Sequence, residues 1–278
     1  MLAPILGYDG EPVAGTRASD AEGLRIVLRD SVMTALIPFE EIDEVRMFAA
    51  EPDFAAATPR RLILPVFVYG LRSNEGLESI AVAPTDGPLA GATVLIAERS
   101  LNLERNHRAF ILDGPRDGPF SIRRTADYDI TDAVFLPDGD LLILERRFRF
   151  TEGFSMRSRR IDGTTIAVNA TVDGTALLEA GVRDRIDNME GMAITIGDDG
   201  ETLLTLISDD NHNFLQHTIV LRFAVAPPPP PPLPRLRRAS DGTLPRTPAK
   251  PESIIEAGSV SDRERWTVPR LRPYDAGA

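Results

Sequence analysis

The side chains best suited to chemistry in this chain are acids that recur in matched settings. Asp20-Ala21-Glu22-Gly23-Leu24, Asn74-Glu75-Gly76-Leu77, Thr131-Asp132-Ala133-Val134 and Asn188-Met189-Glu190-Gly191-Met192 resemble one another, and their acids are 53, 57 and 58 residues apart. Each is followed by an apolar run that closes on a second acid, giving Glu40, Glu98, Glu145 and Asp209. Carboxylate oxygens are hard ligands. If the eight converge, they predict a divalent cation, Ca²⁺ ahead of Mg²⁺, held by Glu22, Glu40, Glu75, Glu98, Asp132, Glu145, Glu190 and Asp209. Such an ion would bind a small phosphoester and activate a water, with Glu75, Asp132 and Glu190 as catalytic candidates for the general base. Arg99, Arg146 and Arg147 directly follow two of the acids, and guanidinium forks suit phosphate oxygens. The same arginines could instead neutralise the acids, which leaves a second reading open. In that reading the acids belong to a non-catalytic scaffold whose mouth binds a cationic or carbohydrate partner.

The elements that would position these residues are strands. Runs rich in Val, Ile, Leu and Phe recur at Leu62–Val68, Thr93–Ala97, Ala109–Leu112, Leu141–Leu144, Leu203–Ile207 and Thr218–Phe223, bounded by Asp, Gly, Asn or Pro. Asp173–Asp184 is the best helical stripe, and it is too weak to predict a helix. A repeat of this length with about four strands per unit predicts an all-β fold, a β-propeller with four recognisable blades. The second blade divides into Leu77–Ala83, Thr93–Glu98, Arg108–Leu112 and Phe120–Arg124. The third gives Asp132–Leu136, Asp140–Glu145 and Phe154–Ile161, with no clear outer strand. The first is irregular, since Pro38 interrupts its second strand. Adjacent strands of a blade are antiparallel, so the start of strand one and the end of strand two share an edge. All eight acids are therefore expected at one mouth of the disc, where like charges need protons, guanidinium groups or metal to coexist.

These segments, with Asp187-Asn188-Met189-Glu190-Gly191, Leu144-Glu145-Arg146-Arg147-Phe148 and Ser208-Asp209-Asp210-Asn211, resemble the phytase-like domain family, described as "esterase-like activity of phytase". The resemblance spans roughly Ala18 to Phe223. It implies a β-propeller with acids around a phosphodiesterase or phosphomonoesterase site, and it adds Asp187, Asn188, Asp210 and Asn211 beside the eight. It also implies a periplasmic or secreted protein with about one more blade at its start. No signal peptide is visible in Met1–Gly10, which keeps the cytoplasm open. Either the start is truncated or misannotated, leaving an incomplete or N-terminally truncated ring of about five to six blades, or the ring is short. Leu2–Leu6 is expected to close the blade that contains Thr218–Val225, because an unpaired edge is a liability.

Composition bounds what else the chain could do. It has 278 residues, 31 basic and 42 acidic, for a net charge of −11. That balance disfavours nucleic acid, whose binders carry a basic footprint. The absence of Cys removes disulfides, thiolate metal sites and thiol nucleophiles. No apolar run is long enough to span a bilayer. The three histidines, His107, His212 and His217, follow no zinc spacing, and there is no Gly-x-Ser-x-Gly elbow. From Ala226 onward lie 12 of the 23 prolines and a net charge of +3, leaving −14 on residues 1–225. Residues 1–225 are read as the propeller. Residues 226–278 are read as a disordered Pro-rich tail, a spacer or a tether to a partner, with a sticky stretch at Trp266–Leu271.

Overall fold

The computed structural model describes residues 4–13, 20–39, 42–65, 76–226 and 272–273. Among them there is no α-helix, and the strands form four small antiparallel blades of a β-propeller. Blade one contains β1 (Arg25–Arg29), β2 (Val32–Phe39), β3 (Glu44–Ala49) and β4 (Arg60–Arg61). Blade two contains β5 (Leu77–Val82), β6 (Thr93–Leu101), β7 (His107–Leu112) and β8 (Gly118–Ile122). Blade three contains β9 (Asp129–Phe135), β10 (Leu141–Arg149) and β11 (Gly153–Ile161). The chain then leaves the blade, adds β12 (Thr171–Val172) in parallel to β8 of blade two, and returns as β13 (Thr175–Gly181). Blade four contains β14 (Met189–Ile196), β15 (Thr202–Ser208), β16 (Val220–Ala224) and β17 (Arg272–Pro273).

The alternation of each strand sends one apolar set to each neighbouring blade. Leu36, Val45, Leu77 and Leu95 form the core between blades one and two. Ile96, Ile111, Ile130 and Ile143 fill the next interface, and Leu142, Leu144, Met192 and Leu204 fill the third. Ala35, Ile37, Phe39 and Phe48 form a fourth cluster on the remaining face of blade one. Between blades one and four lies a cavity of about 610 Å³, bordered by Glu22, Leu24, Arg25, Asp132, Met192 and Ile207.

One expectation is revised, and three segments resolve. Pro4–Leu6 does not complete the last blade: Ile5 packs on the blade-one cluster, and the Val13 N–H donates to its carbonyl at 2.9 Å. The fourth strand of blade four comes instead from the tail, where Arg272 and Pro273 pair with Ala224 and Phe223. The rest of the proposed disordered tail, residues 227–271 with the stretch at Trp266–Leu271 and residues 274–278, lies outside the described residues. The stripe at Asp173–Asp184 is largely strand β13, the missing outer strand of blade three. Its apolar residues satisfy a pleated surface, and pairing with β11 overrides the weak helical spacing. Pro38 is accommodated in β2 because β1 has already ended opposite Leu36, and there Pro38 need only offer its carbonyl, to Glu22 N–H at 3.1 Å.

Candidate functional site

Glu98 lies on β6, Arg146 on β10 and Glu190 on β14, so three consecutive blades each supply one charged group to the same mouth. Arg146 is the link. Its Nη2 donates to Glu98 Oε1 at 3.3 Å, and its Nη1 lies 3.2 Å from Glu190 Oε1 while donating to Asn188 Oδ1 at 2.7 Å. Asn188 is buried and donates from Nδ2 to Glu190 Oε1 at 2.6 Å. Burial pushes the Glu190 carboxyl up to about 7 against the opposing pull of Arg146 and Asn188, with Glu98 and Asp209 adding repulsion. A half-buried carboxyl that changes charge near neutrality beside a guanidinium fork can exchange a proton with a bound molecule and hold an anion. Asp209 joins this mouth through its backbone, whose N–H donates to the Asn188 carbonyl at 2.9 Å. Asp187 stands behind Asn188, accepting from Asn188 N and His217 N, each at 2.9 Å. Asp210 accepts from His212 N and Thr218 Oγ1 in the exposed loop beyond, and those bonds hold its carboxyl below the usual range.

Asp132 has a different position. It is buried at the centre and touches all four blades. Its Oδ1 accepts from Arg25 Nη2 of blade one at 2.5 Å, Ser79 Oγ of blade two at 3.1 Å and its own neighbour Ala133 N at 2.7 Å. Its Oδ2 accepts from Met192 N of blade four at 2.7 Å. Arg25 also donates to the Ala133 carbonyl. Burial raises the Asp132 carboxyl above the usual range, with Arg25 the largest opposing influence. Glu145 is fully buried and faces away from Arg146, because neighbours on a strand point to opposite sides. Arg157 and Arg159 of β11 both grip it in two-pronged fashion, at 2.6 and 3.0 Å and at 2.7 and 2.7 Å.

Of the eight acids, then, Glu98, Glu190 and Asp209 come together, Asp132 lies at the hub, and Glu145 does not join them. Glu22 borders the cavity between blades one and four, and Glu40 and Glu75 lie outside the described residues. The three candidate phosphate arginines separate in the same way. Arg146 faces the mouth. Arg99 donates to Asp129 Oδ2 at 2.7 Å while its Nη2 stays 3.7 Å from Glu98 Oε1, at the edge of the mouth, and Arg147 stacks 4.7 Å over Tyr128 and donates to the Ala126 carbonyl. Arg157 packs on the same ring at 4.4 Å. Sequence reading missed Arg25, Arg157 and Arg159. The last two had a signal: counting pairs down the β10–β11 hairpin puts Arg157 opposite Glu145. Arg25 had none, because its partner is 107 residues away. It also missed His107, which is buried, with Nδ1 2.5 Å from the Glu98 carbonyl and its titration pushed down by burial.

Among the described residues no group of three or more His, Asp or Glu side chains could hold a metal ion. Arg146 supplies the positive charge between Glu98 and Glu190 that a cation would otherwise bring, so these residues alone do not make a cation site. A family model described as phytase-like, esterase-like activity of phytase, matches residues 2–212. No curated protein matches the chain. No helix of the described residues is long and apolar enough to cross a membrane.

Proposed function

The chain belongs to the phytase-like family, and from that premise we propose that it hydrolyses phosphoester bonds at the mouth formed by Glu98, Arg146, Asn188 and Glu190. Family membership suggests a hydrolase-type activity; the phosphoester and the residues are our reading. The observation that carries it is the guanidinium of Arg146 held between two carboxyls supplied by the blades on either side of its own. In this scheme Arg146 donates to a phosphate oxygen of the substrate. Glu190, as its carboxylate, takes a proton from an attacking water. The water oxygen bonds to phosphorus as the bond to the ester oxygen breaks, and the proton passes to the departing alkoxide. The expected Ca²⁺, ahead of Mg²⁺, would need groups beyond the described mouth, with Glu40 and Glu75 the sequence candidates, and no step here passes through it. A periplasmic or secreted location is part of the family reading alone.

A second reading has its own support. Asp132 and Glu145 are held by arginines and backbone donors, as expected of a scaffold that uses carboxylates to tie blades together. In that case the mouth binds a cationic or carbohydrate partner without turnover. One assay separates the two, offering mono- and diester phosphates with Ca²⁺, with Mg²⁺ and with chelator. Hydrolysis that falls about 10²–10⁴-fold in Glu190→Gln, the usual contribution of a general base, supports the enzyme. Undetectable turnover of every ester favours the binding scaffold, and an unchanged melting temperature in chelator removes the cation.

A further inference from the structure

The two faces of the disc end in turns of opposite character. On the mouth face, the hairpins joining strands two and three of blades two, three and four carry large apolar side chains at their apices. Leu103, between β6 and β7, is 99% exposed, Phe150, between β10 and β11, is 96% exposed, and Phe214, between β15 and β16, is 91% exposed with Leu215 beside it. On the opposite face the turns joining strands one and two are Asp30-Ser31, Asp86-Gly87, Asp138-Gly139 and Asp198-Asp199-Gly200. Folding gives no reason for the difference, since a turn apex in water favours Gly, Asn, Asp or Ser.

These apices are braced. Asn102 N–H donates to the Asn106 carbonyl and Arg105 N–H to the Asn102 carbonyl, at 2.9 and 3.0 Å, beneath Leu103. Glu152 N–H donates to the Arg149 carbonyl at 2.9 Å, and Phe148 packs on Phe154 with ring centroids 4.9 Å apart, beneath Phe150. Leu215 N–H donates to Asn213 Oδ1 at 3.0 Å, while Asp187 accepts from Gln216 and His217. Fixed turns on three separate blades thus hold apolar groups out in solvent, beyond Glu98, Arg146 and Asp209. Each apex is one or two side chains flanked by polar residues, and charges of both signs stand beside two of them: Glu104 and Arg105 next to Leu103, and Arg149, paired with Glu152 at 3.3 Å, next to Phe150. Separate apolar points, two of them flanked by balanced charges, fit a layer that yields to each independently and carries zwitterionic headgroups at its rim.

We infer that the mouth face docks on a lipid surface, with Leu103, Phe150, Phe214 and Leu215 entering its apolar edge. The acidic turns opposite then face water. Because the chain is net negative, adhesion comes from apolar insertion and not from attraction to anionic lipid. The test is co-sedimentation with phosphatidylcholine vesicles. The protein is expected to sediment with them in molar salt as well as in dilute buffer. The combined variant Leu103→Ser, Phe150→Ser, Phe214→Ser is expected to lose binding on the order of tenfold or more with its melting temperature unchanged. Variant binding equal to that of the parent, or a parent that stays in the supernatant, overturns the inference. So does a parent that ignores vesicles but self-associates through these apices, as shown by variants that become monomeric. The docking does not rest on hydrolysis: vesicle binding without turnover of any soluble phosphoester leaves it standing and removes only the enzyme.

Discussion

At the scale of single residues, two carboxyls with raised titration do opposite work. Asp132 is an organiser, because its two oxygens gather donors from blades one, two and four as well as its own. Replacing it with Ala strands Arg25 in a site where the guanidinium is largely buried. The expected loss is about 3–5 kcal/mol, measured as a lower denaturation midpoint in urea. Glu190 is a proton-exchanging group at a half-open mouth. Burial raises its folded-state affinity for the proton above that of the unfolded chain, so its favourable contribution is complete below the ordinary glutamate range. That contribution is lost as pH rises through about 7. Glu190→Gln should therefore raise the melting temperature at pH above 7 relative to the parent, with the gain disappearing in mild acid. The same group predicts a hydrolysis rate that climbs with pH through about 7 in the parent.

At the scale of elements, the excursion between β11 and β13 fastens blade three to blade two. Ser121 N–H donates to the Ala170 carbonyl and Arg123 N–H to the Val172 carbonyl, each at 2.9 Å, while Ile166 and Val172 enter the shared core. The chain can begin this detour only because Gly163 crosses close over the β9–β10 turn. A Cβ there would stand 1.9 Å from the Gly139 carbonyl oxygen, so backbone must move to admit it. Gly163→Ala should destabilise the fold by at least the 1–3 kcal/mol typical of overpacking, read as a loss in thermal midpoint. None of this was readable beforehand. The repeat marks where strands recur within a blade, and β12 is a two-residue pairing specified by a neighbouring blade.

At the scale of the whole molecule, blade four borrows its last strand from beyond the proline run. Ending the chain at residue 226 should expose the ladder edge of β16 and lower the melting temperature by a few degrees, with the mouth intact. An unchanged midpoint would show that Arg272 and Pro273 add nothing to the blade. The sequence by itself determined the inner strands of the blades, their repeat and the mouth edge of Glu98, Glu190 and Asp209. Those follow from short-range alternation and from a repeat that copies the same local choices. The second blade was legible strand by strand for that reason. Tertiary structure alone decided which acids share the mouth, because a carboxylate's partner is set by strand facing and by blades up to 107 residues apart. Glu145 and Arg146 are neighbours in the chain and point apart, so one is locked between two arginines and the other faces the open mouth. Repetition fixes where an acid stands along a strand. Packing fixes what neutralises it, and so which acids are left to act.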